Sequence, residues 1–319
     1  MRVSVQRQVD HISDAARARI AMVRPILRAT LFALQRDRIE RLGGYERITL
    51  ADLAREYREG AGDCGICFEY AVHEAIRNRD GQIHPLISEV LEDFCGIRAG
   101  ADSILFGAEK NGALSLIETA AELLTEDSRI LAGRIGQPPK LKRYLARLVR
   151  AFQSPEYREL LPASIRGLWR ADLFVGSPEE DRWVATTLKI NPGDLEGGPG
   201  IRIGIYPERR RGERPMRDDE KNLILCPLPY NAGFMELFYS SFFIVRQVLA
   251  ADARVPKPVA LPSADDQHVA AELVARRDFP LLEVLEALAP MAQPGLLESA
   301  EAGDGKPETK AVAPVAQRT

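Results

Sequence analysis

The sequence predicts a mixed α/β protein, with a core sheet of four to five strands behind a large helical N-terminal region and around a helical insertion. Three observations predict it. Apolar residues recur at helical spacing through residues 4–60. Two strand-like runs, 171–176 and 183–191, flank Ser177-Pro178-Glu179-Glu180-Asp181-Arg182, which has turn composition. Two further β-rich runs, 201–206 and 222–227, precede a long apolar helix at 234–250.

In chain order, Ile12, Ala15, Ala16, Ile20, Val23, Ile26, Leu27 and Leu31 define a first helical face, which Pro25 is expected to break. A second helix begins near Leu50, with Thr49 as its cap, and includes Leu53 and Tyr57. Gly60-Ala61-Gly62-Asp63 interrupts, and Cys64-Gly65-Ile66-Cys67-Phe68-Glu69 opens a helix reaching Ile76. Helix is expected again over 85–94, a strand over 102–107 and a helix over 112–124. Gly136-Gln137-Pro138-Pro139 stops the chain before a basic helix at 140–152, where Arg143, Arg147 and Arg150 share one face. After the hairpin, Pro192-Gly193 and Gly197-Gly198-Pro199-Gly200 read as a mobile turn without the helix a phosphate-binding loop needs. The 234–250 helix is expected to cover the sheet. Short helices follow at about 264–277 and 280–288. The organisation expected is a helical region at 1–62, an α/β core at 63–252 with its insertion at about 80–165, short helices at 253–292, and a disordered tail at 293–319.

Composition sets the class. The chain has 319 residues, 45% hydrophobic and 28% charged, as globular proteins do. The longest apolar stretch, 234–251, carries Glu236, Arg246 and Gln247, so it reads as a buried helix rather than a membrane span. With no apolar signal core at the N-terminus and only four cysteines, the expected setting is the reducing cytoplasm, without a membrane. The net charge of -3 conceals an asymmetry: residues 129–217 hold 18 Lys+Arg against 10 Asp+Glu, and the remainder 25 against 36. A local basic field of this kind suits a polyanion such as DNA.

The hairpin places Asp172 at the start of one strand and Lys189 at the end of its neighbour, so an acid and an ammonium share one sheet edge. This arrangement resembles the core of the PD-(D/E)XK nuclease superfamily, in a degenerate form. The resemblance implies a restriction-endonuclease-like core and Mg²⁺- or Mn²⁺-dependent hydrolysis of DNA. The setting it implies is a bacterial restriction or phage-defence system, with a protein partner in a multi-component assembly. It further implies that Asp172 and the Leu188 carbonyl hold the ion and that Lys189 positions or deprotonates the attacking water. Thr187 departs from the pattern, which has an acid or Gln there. Glu69, on a helix like the one where many members carry a Glu, is the expected replacement carboxylate. Arg143, Arg147, Arg150, Arg209, Arg210 and Arg211 are candidate phosphate contacts.

Other constellations compete. Cys64-Gly65-Ile66-Cys67-Phe68 resembles the nucleophile segment of papain-like proteases, making Cys67 an alternative nucleophile, although only His268 follows His84 to act as a base. A zinc or redox Cys-x-x-Cys lacks a second pair, since Cys95 and Cys226 stand alone. Small buried hydrophobes at a helix start are the simplest account of these thiols. Asp102, Glu109 and Lys110 read as surface charges. A non-catalytic scaffold with a degenerate nuclease core is the third functional class, supported by Thr187.

Overall fold

A computed structural model describes residues 12–58, 63–106, 123–131, 140, 147, 150–151, 154–161, 171–191, 193, 195, 200–209, 214–230 and 233–293. The expected helix at 112–124, most of the basic helix, the glycine-rich turn and the tail lie outside these residues. Helix α1 spans Asp14–Phe32, capped where the Ser13 hydroxyl accepts the Ala16 N–H. It runs straight through Pro25 instead of breaking there. Proline removes one backbone bond and crowds the preceding turn. Here Val23, Ile26 and Leu27 around it are fully buried, and their packing outweighs the missing bond. After α2 (Arg36–Arg41) and a 3₁₀ turn, α3 (Leu50–Glu56) opens with the capping box Thr49/Asp52. Helix α4 (Asp63–Arg77) and α5 (Ile83–Val90) follow, and α5 unwinds into a π turn closed by Gly96 at φ 65°.

The described residues form a mixed seven-stranded sheet, larger than the four to five strands expected. Its strands are β1 (Asp102–Leu105), β2 (Arg129–Leu131), β3 (Leu173–Ser177), β4 (Arg182–Leu188), β5 (Arg202–Glu208), β6 (Met216–Asp218) and β7 (Leu223–Pro229). The order is β1-β3-β4-β5-β7-β6, with β2 beside β4. Strands β4, β5 and β7 are parallel, while β1, β3 and β6 complete antiparallel pairs. Strand β4 is the axis. One flank pairs with β3, and the other pairs first with β2, at Arg182–Val184, then with β5 from Ala185 onward.

The sequence pattern explains this centrality. Trp183 to Leu188 are all buried, as expected of a strand covered on both faces. Val184 and Leu188 join Leu173, Val175, Ile203 and Ile205 in one core with the helices. Trp183 and Ala185 join Ile104, Phe106, Ile130 and Phe174 in a second core, sealed by Ala151 and Leu161. The inserted region, where one strand was expected over 102–107, thus supplies that strand as β1, a second strand β2 and part of the second face. The charged loop after β5 likewise supplies β6.

The C-terminal helices are α7 (Gly233–Ala251), α8 (Ala264–Val274) and α9 (Leu281–Leu288). A short α6 (Pro155–Glu159) precedes β3. Helix α7 was expected on the sheet, but it packs mainly on α1, α3 and α8, leaving α4 and α5 against the strands. Among the described residues α7 alone is long and apolar enough to cross a membrane. Its Phe234, Phe238 and Ile244 are buried within the protein.

The β3–β4 turn ties distant segments together. Asp181 accepts hydrogen bonds from Thr125 and Ser128 side chains, the latter at 2.7 Å. Glu180 accepts the Ala99 N–H at 2.9 Å, and Arg182 donates to the Cys95 carbonyl at 2.9 Å. Gly176 faces Trp183 across this hairpin, and a Cβ there would lie 2.0 Å from the Arg182 carbonyl oxygen. Gly176→Ala should therefore destabilise the protein by at least about 1–3 kcal/mol, the range for overpacking, read as a lowered urea midpoint.

Candidate functional site

The edge that carries the candidate site is the carboxyl end of the parallel strands. There Asp172 immediately precedes β3 and Lys189 immediately follows β4. The physical reason Asp172 sits there lies in the ladder. The Asp172 N–H donates to the Thr186 carbonyl at 2.9 Å, and the next donor along β4, the Leu188 N–H, points past the start of β3. Asp172 Oδ2 accepts it at 2.8 Å. The residue is 7% exposed, and a buried N–H left open there would cost about 1–3 kcal/mol. Asp172 is thus a strand-end cap in its own right.

The same geometry places other oxygens beside it. The N–H and C=O of one strand residue point to the same side, so the Leu188 carbonyl is directed to the flank where Asp172 sits. Thr187 and Lys189 alternate with Leu188 and project to the opposite face from it. Thr187 is 3% exposed, and among the described residues its hydroxyl has no hydrogen-bond partner. The residue opposite it on β5 is Gly204. Lys189 is half-buried, with its N–H bonded to the Ile205 carbonyl at 3.0 Å. In parallel pairing the next donor on β5 would be residue 207, which is proline and has none, so the ladder ends at Lys189.

Glu69 lies half-buried on α4, one turn before His73. His73 Nδ1 meets the Ser103 hydroxyl of β1 at 3.0 Å, and residues four apart share a helix stripe. Glu69 therefore shares the stripe of α4 that carries His73, on the helix that packs against β1. The structure brings Asp172, Thr187, Leu188 and Lys189 together on adjacent strand ends, with Glu69 arriving from a different layer. Among the described residues there is no cluster of three or more His, Cys, Asp or Glu side chains suited to a metal ion. The available donors are oxygens, which suits a hard cation that keeps most of its waters and needs one or two carboxylates.

The arginines divide. Arg147 and Arg150 are exposed, as is Arg209 just beyond β5. Arg143, Arg210 and Arg211 lie outside the described residues. Arg209 also stacks over the Tyr230 ring, 5.6 Å from its centroid, a contact not readable from sequence because Tyr230 follows another strand.

Cys67 occupies a structural position. It is 2% exposed and its Sγ lies 3.7 Å from the Ile26 carbonyl and 3.8 Å from Thr30 Oγ1. Burial pushes its thiol up to about 12, against the lowered value an attacking cysteine needs. His73 lies six residues further along the helix and is bonded to Ser103, so it does not act on Cys67 as a base. All four cysteines are free thiols. Burial, with Arg77 and Arg28 adding repulsion, lowers the His73 ring to about 3.

Comparisons with protein-family models, curated proteins and solved structures give no match.

Native Cys67 should resist iodoacetamide at pH 8 and react only in denaturant; rapid native labelling, mapped by mass spectrometry, would contradict this burial. His73 remains neutral in the fold while the unfolded chain protonates it below about 6.5. Stability should therefore fall as pH drops from about 6.5 towards 3, by up to about 1.4 kcal/mol per unit. Denaturation of a His73→Gln variant should show a shallower decline.

Proposed function

We propose that this chain is a metal-dependent nuclease whose reaction centre is the strand-end group of Asp172, Leu188 and Lys189. The observation that carries the proposal is the Asp172–Leu188 contact, which sets a carboxylate, a backbone carbonyl and a lysine on adjacent strand ends. Asp172 and the Leu188 carbonyl would hold the ion, with Glu69 as the second carboxylate reaching over the edge. The unpartnered, buried Thr187 hydroxyl beside them is a further oxygen with capacity to accept or donate. A bound Mg²⁺ or Mn²⁺ supplies charge neutralisation at the phosphodiester and a more acidic water. The protein's part is positional. Asp172 is held by the Leu188 N–H, so the orientation of its carboxylate is set before substrate arrives. Lys189, the residue after β4, would place an ammonium where negative charge accumulates on phosphorus. The excess of basic residues over 129–217, with Arg147, Arg150 and Arg209 exposed, provides attraction for a nucleic-acid backbone. We place the protein in a cytoplasmic restriction or defence setting, with a protein partner, on the same reading.

The non-catalytic reading draws on Thr187 in place of an acid and on the absence of a three-ligand cluster among the described residues. Plasmid nicking separates the two. The wild-type protein should nick supercoiled DNA with Mg²⁺ or Mn²⁺ and stop on chelation. Asp172→Asn retains an acceptor for the Leu188 N–H, so it should keep the thermal midpoint while losing activity by at least about 100-fold. Lys189→Ala should lose a similar factor, and Glu69→Gln should weaken the metal dependence. Wild-type protein that neither nicks DNA nor binds either ion by calorimetry would leave the scaffold reading standing.

A further inference from the structure

The edge bearing the proposed reaction centre continues into a surface of different chemistry. Strand β5 ends in Glu208 and β7 in Pro229, and the ladder extends one step further where the Tyr230 N–H donates to the Glu208 carbonyl at 2.7 Å. Just past these ends Arg209 lies over the Tyr230 ring. Tyr230 in turn stands 5.3 Å from the Tyr239 ring of α7, and Phe238 and Phe242 continue the aromatic series. Tyr239 carries a raised hydroxyl value of about 12, chiefly from burial, with Cys64 and Tyr230 adding to it and Arg209 opposing. The cluster is therefore anchored on the α7 side and open on the other, where Tyr230 is 41% exposed and Arg209 is exposed.

Tyr230 is thus a part-exposed ring with the Arg209 guanidinium over it and the Tyr239 ring against it. Two features direct it to nucleic acid rather than to an apolar partner. Arg209 offers charge as well as a planar stacking surface. Of the cluster, Arg209 also belongs to the basic segment at 129–217. Strands β4 and β7 are two apart, roughly 10 Å, and Lys189 lies level with Tyr206 and Pro227, three residues short of Tyr230, so the two backbone positions are roughly 14 Å apart. That separation falls on the stretch of strand next to the phosphate at the proposed centre.

We propose that Tyr230, backed by Tyr239 and flanked by Arg209, is a stacking platform for an unpaired base, so that the substrate is single-stranded or flayed nucleic acid. This rests on the nuclease reading for its role but not for its binding. A stacked base has its π-face available only when it has left a duplex. The ring supplies sequence-tolerant stacking, and Arg209 neutralises the neighbouring phosphate.

The test uses the full-length Asp172→Asn protein in EDTA, so that binding is read without cleavage. Fluorescence anisotropy would compare a labelled 12-nucleotide thymidine DNA, the corresponding uridine RNA and a blunt 12-base-pair duplex. At least one single strand should bind about tenfold or more tightly than the duplex, and the better of the two identifies the sugar. Tyr230→Ala should weaken that binding about 5- to 100-fold, and Tyr230→Phe should restore it. Arg209→Gln should reduce the log–log salt slope by about 0.7. The proposal is overturned if the duplex binds as well as both single strands, if none binds, or if Tyr230→Ala matches wild type. The two readings fail separately. Wild type that cleaves DNA without a Tyr230 effect keeps the nuclease and loses the platform. Tyr230-dependent binding without metal-dependent cleavage does the reverse.

Discussion

A strand buried on both faces cannot leave its last hydrogen-bond donors to water, and that constraint organises this molecule. Strand β4 has six consecutive buried residues, 183–188, and partners on each flank. Where β3 runs out, the Asp172 carboxylate takes the Leu188 N–H. Where the hairpin turns, Glu180, Asp181 and Arg182 bind the segments at 95–99 and 125–128. Both ends of the hairpin are pinned by charged side chains using backbone or hydroxyl partners, which gives more than neutral bonds would.

That economy has a chemical consequence. A carboxylate placed to close a ladder has its rotamer held before anything binds, as the proposed ion site would require. Period-two alternation delivers Thr187 and Lys189 to one face and Leu188 to the other. On the proposed nuclease reading, one carboxylate would close the ladder and hold the ion. The buried, unpartnered Thr187 hydroxyl is the least explained atom in this arrangement by structure alone.

Local pattern made parts of this legible. The turn composition at 177–182 and its flanking apolar runs identified β3 and β4, and with them the proximity of Asp172 and Lys189. The capping box at Thr49 and Asp52 was readable because it is contained within four residues. Three-residue β2 and β6 were not, because a strand that short has no periodicity to detect and exists only through its neighbours. Pro25 misled for a related reason: a local penalty of one bond says nothing about the burial on either side of it.

The sequence by itself determined the alternation of helix and strand, the mixed α/β class and the hairpin that brings Asp172 and Lys189 to neighbouring strand ends, since each depends on residues close in the chain. Only the tertiary structure decided that Cys67 is buried beside Thr30, that α7 packs on other helices, and that Arg209 meets Tyr230 across two strand ends. Those outcomes depend on which surfaces meet, and the free energy of burying a surface is set by its partner rather than by its own sequence.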